Sequence, residues 1–432
     1  MTHARAARVS DGRAVHDTLL VVWIALIAAD RIDLLGGTGA FKLTPYLVLT
    51  PLVLASELLR RHLRRCPIVV TPPASALLMV SFTLLGLVGL SVFVSPDVTK
   101  SASRAALLAA HLIGALAVVI AASDRVALDR VFERGAVAGL LLFAVFDALQ
   151  LATLVRAVPE VWRAGPVSVD LVPSIYAQFV PQLSGTVADQ NRAGLLLVFY
   201  GWFVGHRPGR GPRAGLLALT VVLGALTLSR SAALAGLATV VVLALDRQIR
   251  RISVGFLLAL AVVTSSATLV LLASPAARTW AATALEPFAE RISIDRGSAP
   301  QHVQLIRRGI DEATASLPRV AIGLGYGSAY TVLQDIFPGH RYANFHSLYI
   351  TFFAESGVVA LLCIMLFFGV PLVRGGRYRA LVAGAALFNV FYQAHTEPEF
   401  WVIITVAWLT LPASAPRVRI GARASAGLVP AR

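Results

Sequence analysis

The sequence predicts an all-α polytopic membrane protein of about twelve transmembrane helices with one long outer loop, on three observations. Its 432 residues are 57% hydrophobic and 14% charged, where soluble domains run at about 45–50% and about 25%. The mean hydropathy of +0.75 leaves too little polar surface to cover a globule in water. Apolar runs able to cross ~30 Å of hydrocarbon recur along the chain, and the basic residues cluster in alternate gaps between them.

In order, the expected spans are 16–36, 44–59, 73–94, 105–122, 135–155, 190–205, 214–229, 231–246, 253–273, 346–370, 379–394 and 399–413. The start of the first imitates a signal peptide, but Asp30 and Arg31 interrupt it and many spans follow, so a retained signal anchor is expected. The seventh and eighth are divided only at Leu228-Ser229-Arg230-Ser231. The organisation is then nine spans over 1–273, an outer cap loop over 274–345, three spans over 346–413 and a basic tail over 414–432.

With the N-terminus in the cytoplasm, 23 of the 38 Lys+Arg fall in inside segments, and seven of the rest lie in the 274–345 loop. Long translocated loops are largely exempt from the positive-inside rule, so the bias places both termini inside. The net charge of +15 therefore reads as topology. A nucleic-acid groove needs a contiguous basic face with interleaved aromatics, and these bases are scattered between apolar helices. Cys66 and Cys363 lie far apart with no neighbouring Cys or His ligand pattern, suggesting neither a disulfide framework nor a zinc site.

Two outer segments are long. Trp162, Pro166, Pro173 and Pro181 argue against a continuous helix in 156–189. A loop as long as 274–345 is expected to fold as a small extracytoplasmic cap. Within it, Ser298 to Leu317 has helical spacing, with Val303, Ile306, Ile310 and Ala313 on one face and Arg307, Arg308, Asp311 and Glu312 on the other.

An ionisable group at membrane depth costs about 2.5–3.5 kcal/mol on insertion scales and needs a partner, a wet cavity or an interface. Arg230, between two apolar runs at the outer surface, is either an anion clamp for phosphate or carboxylate or an arginine snorkelling to headgroups. His346, where the long loop re-enters the membrane, is either a general base for a hydroxyl nucleophile or a histidine hydrogen-bonded at a helix start. Glu355, nine residues on, lies on the opposite helical face and is read as structural. Asp147 is expected to pair with a neighbouring helix. His395, Glu397 and Glu399 fit either an outward-facing site or a solvated turn. Ala321-Ile-Gly-Leu-Gly-Tyr-Gly-Ser lacks the residues of a P-loop and reads as a tight backbone turn. Neither Asp-x-Asp nor His-Glu-x-x-His occurs, so no cofactor or metal is expected.

Several motifs follow in order: Gly185-Thr-Val-Ala-Asp-Gln-Asn191-Arg-Ala-Gly, Leu228-Ser229-Arg230-Ser-Ala-Ala, Gly323-Leu-Gly325-Tyr-Gly327, His346-Ser-Leu-Tyr349 and Glu355-Ser-Gly357. This order resembles the O-antigen ligase and polymerase superfamily over residues 185–360, while the first 180 residues match only as a helix count. The resemblance implies a GT-C-like helical architecture in the bacterial inner membrane. It also implies metal-independent, inverting transfer of a glycan from undecaprenyl diphosphate at the periplasmic face, with lipid A-core as acceptor in a ligase. By residue matching, Arg230 would hold the diphosphate and His346 would act as general base, with Asn191, Ser229 and Tyr349 as supporting groups. Family members use further loop arginines, and Arg291, Arg296, Arg307 and Arg308 are the candidates. The usual aromatic is absent from Gln301-His-Val-Gln-Leu-Ile-Arg307-Arg308, which leaves the second arginine open.

A polymerase would share this chemistry with a lipid-linked repeat as acceptor, and a protein O-oligosaccharyltransferase is a third member of the class. Polymerases often carry a second arginine-rich outer loop; here 156–189 holds just Arg156 and Arg163, which favours the ligase. A secondary transporter, from another class, has a similar span count. Against it stand the asymmetric loop and the lack of paired interrupted helices in matching halves.

Overall fold

The computed structural model describes residues 17–36, 42–66, 69–121, 125–176, 180–205, 212–245, 299–340, 343–411 and 418–419. The expected span at 253–273, residues 274–298 with Arg291 and Arg296, and most of both terminal tails lie outside the described residues.

Every expected span within the described residues contains a helix. These are α1 (17–25), α2 (Pro45–Arg64), α3 (Pro72–Val92), α4 (Val98–Ala121), α5 (Arg125–Leu154), α6 (Gln190–Gly205), α7 (Pro212–Leu226) and α8 (Arg230–Leu245). After the loop residues come α12 (Leu348–Arg374), α13 (Arg379–Phe388) and α14 (Pro398–Leu409). Four helical stretches, Pro72–Val92, Val98–Val118, Leu128–Leu154 and Leu348–Arg374, are long and apolar enough to cross a bilayer, which makes this a helical membrane protein. The count of twelve goes beyond these four. α7, α8, α13 and α14 are apolar but shorter over their described residues.

The run at 16–36 is helical in part. The helix stops at residue 25, and Arg31 bonds instead to the carbonyls of Val187 (2.7 Å) and Val172 (3.0 Å) and to Ser184 Oγ (2.8 Å). The next residues form strand β1 (Ile32–Asp33). It pairs antiparallel with β4 (Val167–Asp170), which pairs in turn with β3 (Val161–Ala164). β5 (Ser174–Tyr176) and β6 (Val180–Gln182) make a second hairpin. The segment 156–189 is thus strands and turns, as its prolines require.

One large apolar core, with Trp23, Phe143, Phe199, Tyr200, Phe352, Phe388 and Trp401, joins α1 through α8 to α12 through α14. Before α12 lie three shorter helices, α9 (Ala299–Thr314), α10 (Leu317–Ile322) and α11 (Ala329–Val332). They have a small core of their own in Leu305, Ala313, Leu324, Leu333, Phe345 and Ala354. α9 corrects one expectation. Its buried face carries Leu305 at 1% and Ala313 at 0% exposure, whereas Val303 at 48% and Ile310 at 41% lie outward. Gly309 is the reason: a Cβ there would strike Ile350 and Phe345, so α9 approaches α12 on its glycine side.

Candidate active site

Three segments converge where α9 lies over the start of α12. The first is the α7–α8 connection. Leu228 adopts φ 52°, turning the chain sharply, and Ser229 caps α8 by accepting from Ala232 N at 3.2 Å. Arg230 is therefore the first helical residue, at the positive end of the α8 dipole. Ser229 Oγ also donates to Asn191 Oδ1 at 2.9 Å, tying this corner to the start of α6.

The second segment is the entry to α12. His346 takes φ 52°, a left-handed conformation that costs a non-glycine residue about 1–2 kcal/mol. It is supported by Asn344 Oδ1, which accepts from His346 N at 2.8 Å. Strained backbone of this kind gathers at functional sites, and here it occurs at His346 itself and two residues before Arg230. The third segment is α9, whose buried face presents His302. The His302 and His346 rings stack with centroids 4.5 Å apart and planes 24° from parallel.

Burial holds the His346 imidazole below the usual histidine value. His302 is pushed down to about 4, by burial first and then by His346 and the Arg230 cation. Both rings are thus neutral near pH 7, with a lone pair able to take a proton.

The other expected residues are placed as follows. Asn191 and Ser229 adjoin Arg230 through their hydrogen bond. Tyr349 sends its hydroxyl to Ala386 O on α13 at 2.9 Å. Arg307 and Arg308 line a groove of about 300 Å³ with Pro300, Gln304, Asp311 and Asp335, on the face of α9 turned away from His302. The structure stacks His302 on His346 with Arg230 within electrostatic reach of His302, and it sets Arg307 and Arg308 on the other face of α9.

Glu355 anchors the neighbouring turn. Its two carboxylate oxygens accept from Gly327 N at 2.8 Å and Ala329 N at 2.9 Å, while Gly323, Gly325 and Gly327 all take positive φ. The tight turn expected from the alternate glycines is present, and it packs on Ser91, whose Oγ accepts from Tyr326 N at 3.2 Å.

Sequence reasoning missed a second polar centre. Arg192, on α6 beside Asn191, pairs with Asp30, Glu397 and Glu399, with Glu399 Oε1 at 3.3 Å. His395, Glu397 and Glu399 are buried, so the solvated-turn reading of these residues does not hold. Asp147 is also buried and accepts from Gly185 N at 2.7 Å. Opposite charges at the ends of distant spans were the signal for the Arg192 cluster. Charge matching alone does not say which pair meets.

These features define the class: a helical membrane protein with a guanidinium and two imidazoles gathered where a short helical layer meets the ends of the long helices. The family model described as O-antigen ligase matches residues 215–365, about a third of the chain, and that stretch contains Arg230, His302, His346, the glycine turn and Glu355. Over that stretch the chain is similar to the O-antigen ligase family, as its motif order implied, and members of that family are glycosyltransferase-like ligases. Comparison with curated proteins finds no match.

Proposed function

We propose that the protein is an O-antigen ligase, transferring a preassembled glycan from undecaprenyl diphosphate to lipid A-core at the periplasmic face of the bacterial inner membrane. The observation that carries this reading is the convergence of Arg230 at the head of α8 with His346 at the entry to α12, both bearing on His302. His346 takes the proton of the acceptor hydroxyl as its oxygen attacks the anomeric carbon from the side opposite the diphosphate. The bond from that carbon to the diphosphate oxygen breaks, with inversion, and the electron pair leaves on the diphosphate. Arg230 and the α8 N-terminus stabilise that growing charge in place of a metal ion. A loop arginine completes the anion site, with Arg296, Arg291, Arg307 and Arg308 as candidates. About twelve spans, cytoplasmic termini and an outward-facing cap complete the architecture.

The test is transfer by the purified protein, in EDTA and without nucleotide, from a lipid-linked glycan to either lipid A-core or a lipid-linked repeat. We expect product on lipid A-core, and Arg230→Ala and His346→Ala to lower transfer at least a hundredfold while the protein inserts and folds normally. Product on the repeat alone would make the enzyme a polymerase of the same chemistry. Near-normal transfer by either variant rejects the mechanism, and loss of activity in EDTA rejects its metal independence. Substrate flux without covalent transfer supports a transporter instead.

A further inference from the structure

His302 is the group at this site that neither the motif order nor the proposed reaction uses, and its placement is specific. It comes from the face of α9 that Gly309 brings against Phe345 and Ile350. Seven residues earlier on that face, the His302 ring lies over His346 with centroids 4.5 Å apart. A ring in this position excludes water from one face of the His346 imidazole, and two protonated imidazoles so close would repel strongly.

The surroundings decide which way the pair is biased. At the head of α8, Arg230 bears on His302 and opposes its protonation. On α9 the remaining charged residues Arg307, Arg308 and Asp311 line the groove on the far face, and Glu312 is paired with Arg319. On α12, Tyr349 is committed to Ala386 O and Glu355 to the amides of Gly327 and Ala329. From the segment after α13, which receives Leu348 N at Tyr392 O, the Tyr392 hydroxyl interacts with Asp189. Among the described residues, then, the charge that bears on the stack is positive, and it favours two neutral rings.

We propose that His302 is a positioning residue for the transfer reaction: its neutral ring stacks on His346, shields it from water and keeps it free to accept a proton. The proposal rests on the reading of His346 as general base. It makes the cap helix part of the catalytic apparatus, since the base is poised only while α9 is seated.

Two measurements on the purified full-length protein test it. Isotope-labelled histidine NMR gives the titration of His346 directly, and the pH dependence of kcat/KM gives the acid limb of transfer. In His302→Ala we expect both to move to higher pH together by about half a unit or more. Transfer then falls severalfold near pH 6 and much less near pH 8. His302→Phe, which keeps a flat apolar cover, leaves the His346 titration close to that of the unaltered protein. A His346 titration unmoved in His302→Ala, or a loss of rate that is uniform across pH, overturns the proposal and leaves His302 a packing residue. Normal transfer by His346→Ala is a separate failure, that of the general-base reading, because the NMR titration reports on the cover without reference to catalysis.

Discussion

Glu355 lies nine residues beyond His346, and its buried carboxylate is the clasp of the glycine turn rather than a partner of the imidazole. Because both oxygens are occupied by backbone amides at 2.8 and 2.9 Å, Glu355→Ala leaves one buried and one partly buried donor without acceptors. A buried orphan donor costs about 1–3 kcal/mol, so thermal unfolding in detergent should show a loss of about 2–5 kcal/mol, with Glu355→Gln losing less. An unchanged Tm would mean that water or backbone movement satisfies the two amides. At this scale the sequence was informative wherever chemistry and position coincided. Arg230 and His346 were legible because a charge or an imidazole at the end of an apolar run needs a reason. His302 was not, because its role depends on which face α9 buries, and Gly309, a residue without a side chain, decides that. Arg192 was not, because Glu397 and Glu399 lie more than 200 positions away along the chain.

Among the elements, α12 departs most from the continuous helix its composition suggested. Gly357 sits inside it at φ 84° and ψ 177°, so the helix is two pieces meeting at a break. The break receives the end of α10: a Cβ on Gly357 would fall on the Ala321 carbonyl, and one on Gly323 would fall on the backbone of Glu355 and Ser356. Leu324 N and Gly325 N then donate to the carbonyls of Ala354 and Glu355 at 2.9 and 3.1 Å, using acceptors that the interruption frees. Gly357→Ala must pay for both a left-handed backbone and a clash, about 3 kcal/mol or more together. It should also detach the short helices from α12. Limited proteolysis between Thr314 and Ala343 should accelerate in that variant at temperatures where the total helix content is unchanged by circular dichroism, and equal cleavage rates would show that the backbone there adjusts freely. Apolar periodicity reveals that 346–370 is helical, since it counts side chains. It cannot reveal a break whose cause is backbone meeting backbone, although the two glycines were visible as a pair of motifs.

Among the described residues, two groups of polar contacts tie the ends of the helices together. In one, Arg31 meets Val187, Arg192 meets Asp30 and Glu397, Leu183 N bonds Leu226 O, and Tyr330 donates to Asp97 at 2.7 Å. In the other, Arg213 pairs with Glu133 at 2.7 Å, Arg377 with Asp129, and the tail strand β7 (Val418–Arg419) pairs with β2 (Val69–Val70) just after the Arg60–Arg65 cluster. Among the described residues, helix length identifies four crossings, and the side of the membrane on which each group of contacts lies follows from none of them. Orientation is then open to a direct measurement, since Cys66 is exposed beside the basic cluster and Cys363 is buried. A membrane-impermeant maleimide should leave the unaltered protein unlabelled in intact spheroplasts and label it at Cys66 once they are permeabilised. Ala315→Cys, an exposed position between α9 and α10, should add a site labelled without permeabilisation. Labelling of Cys66 from outside would invert the topology, putting His346 and Arg230 on the cytoplasmic side, away from a periplasmic glycan, and the proposed transfer would fall with it.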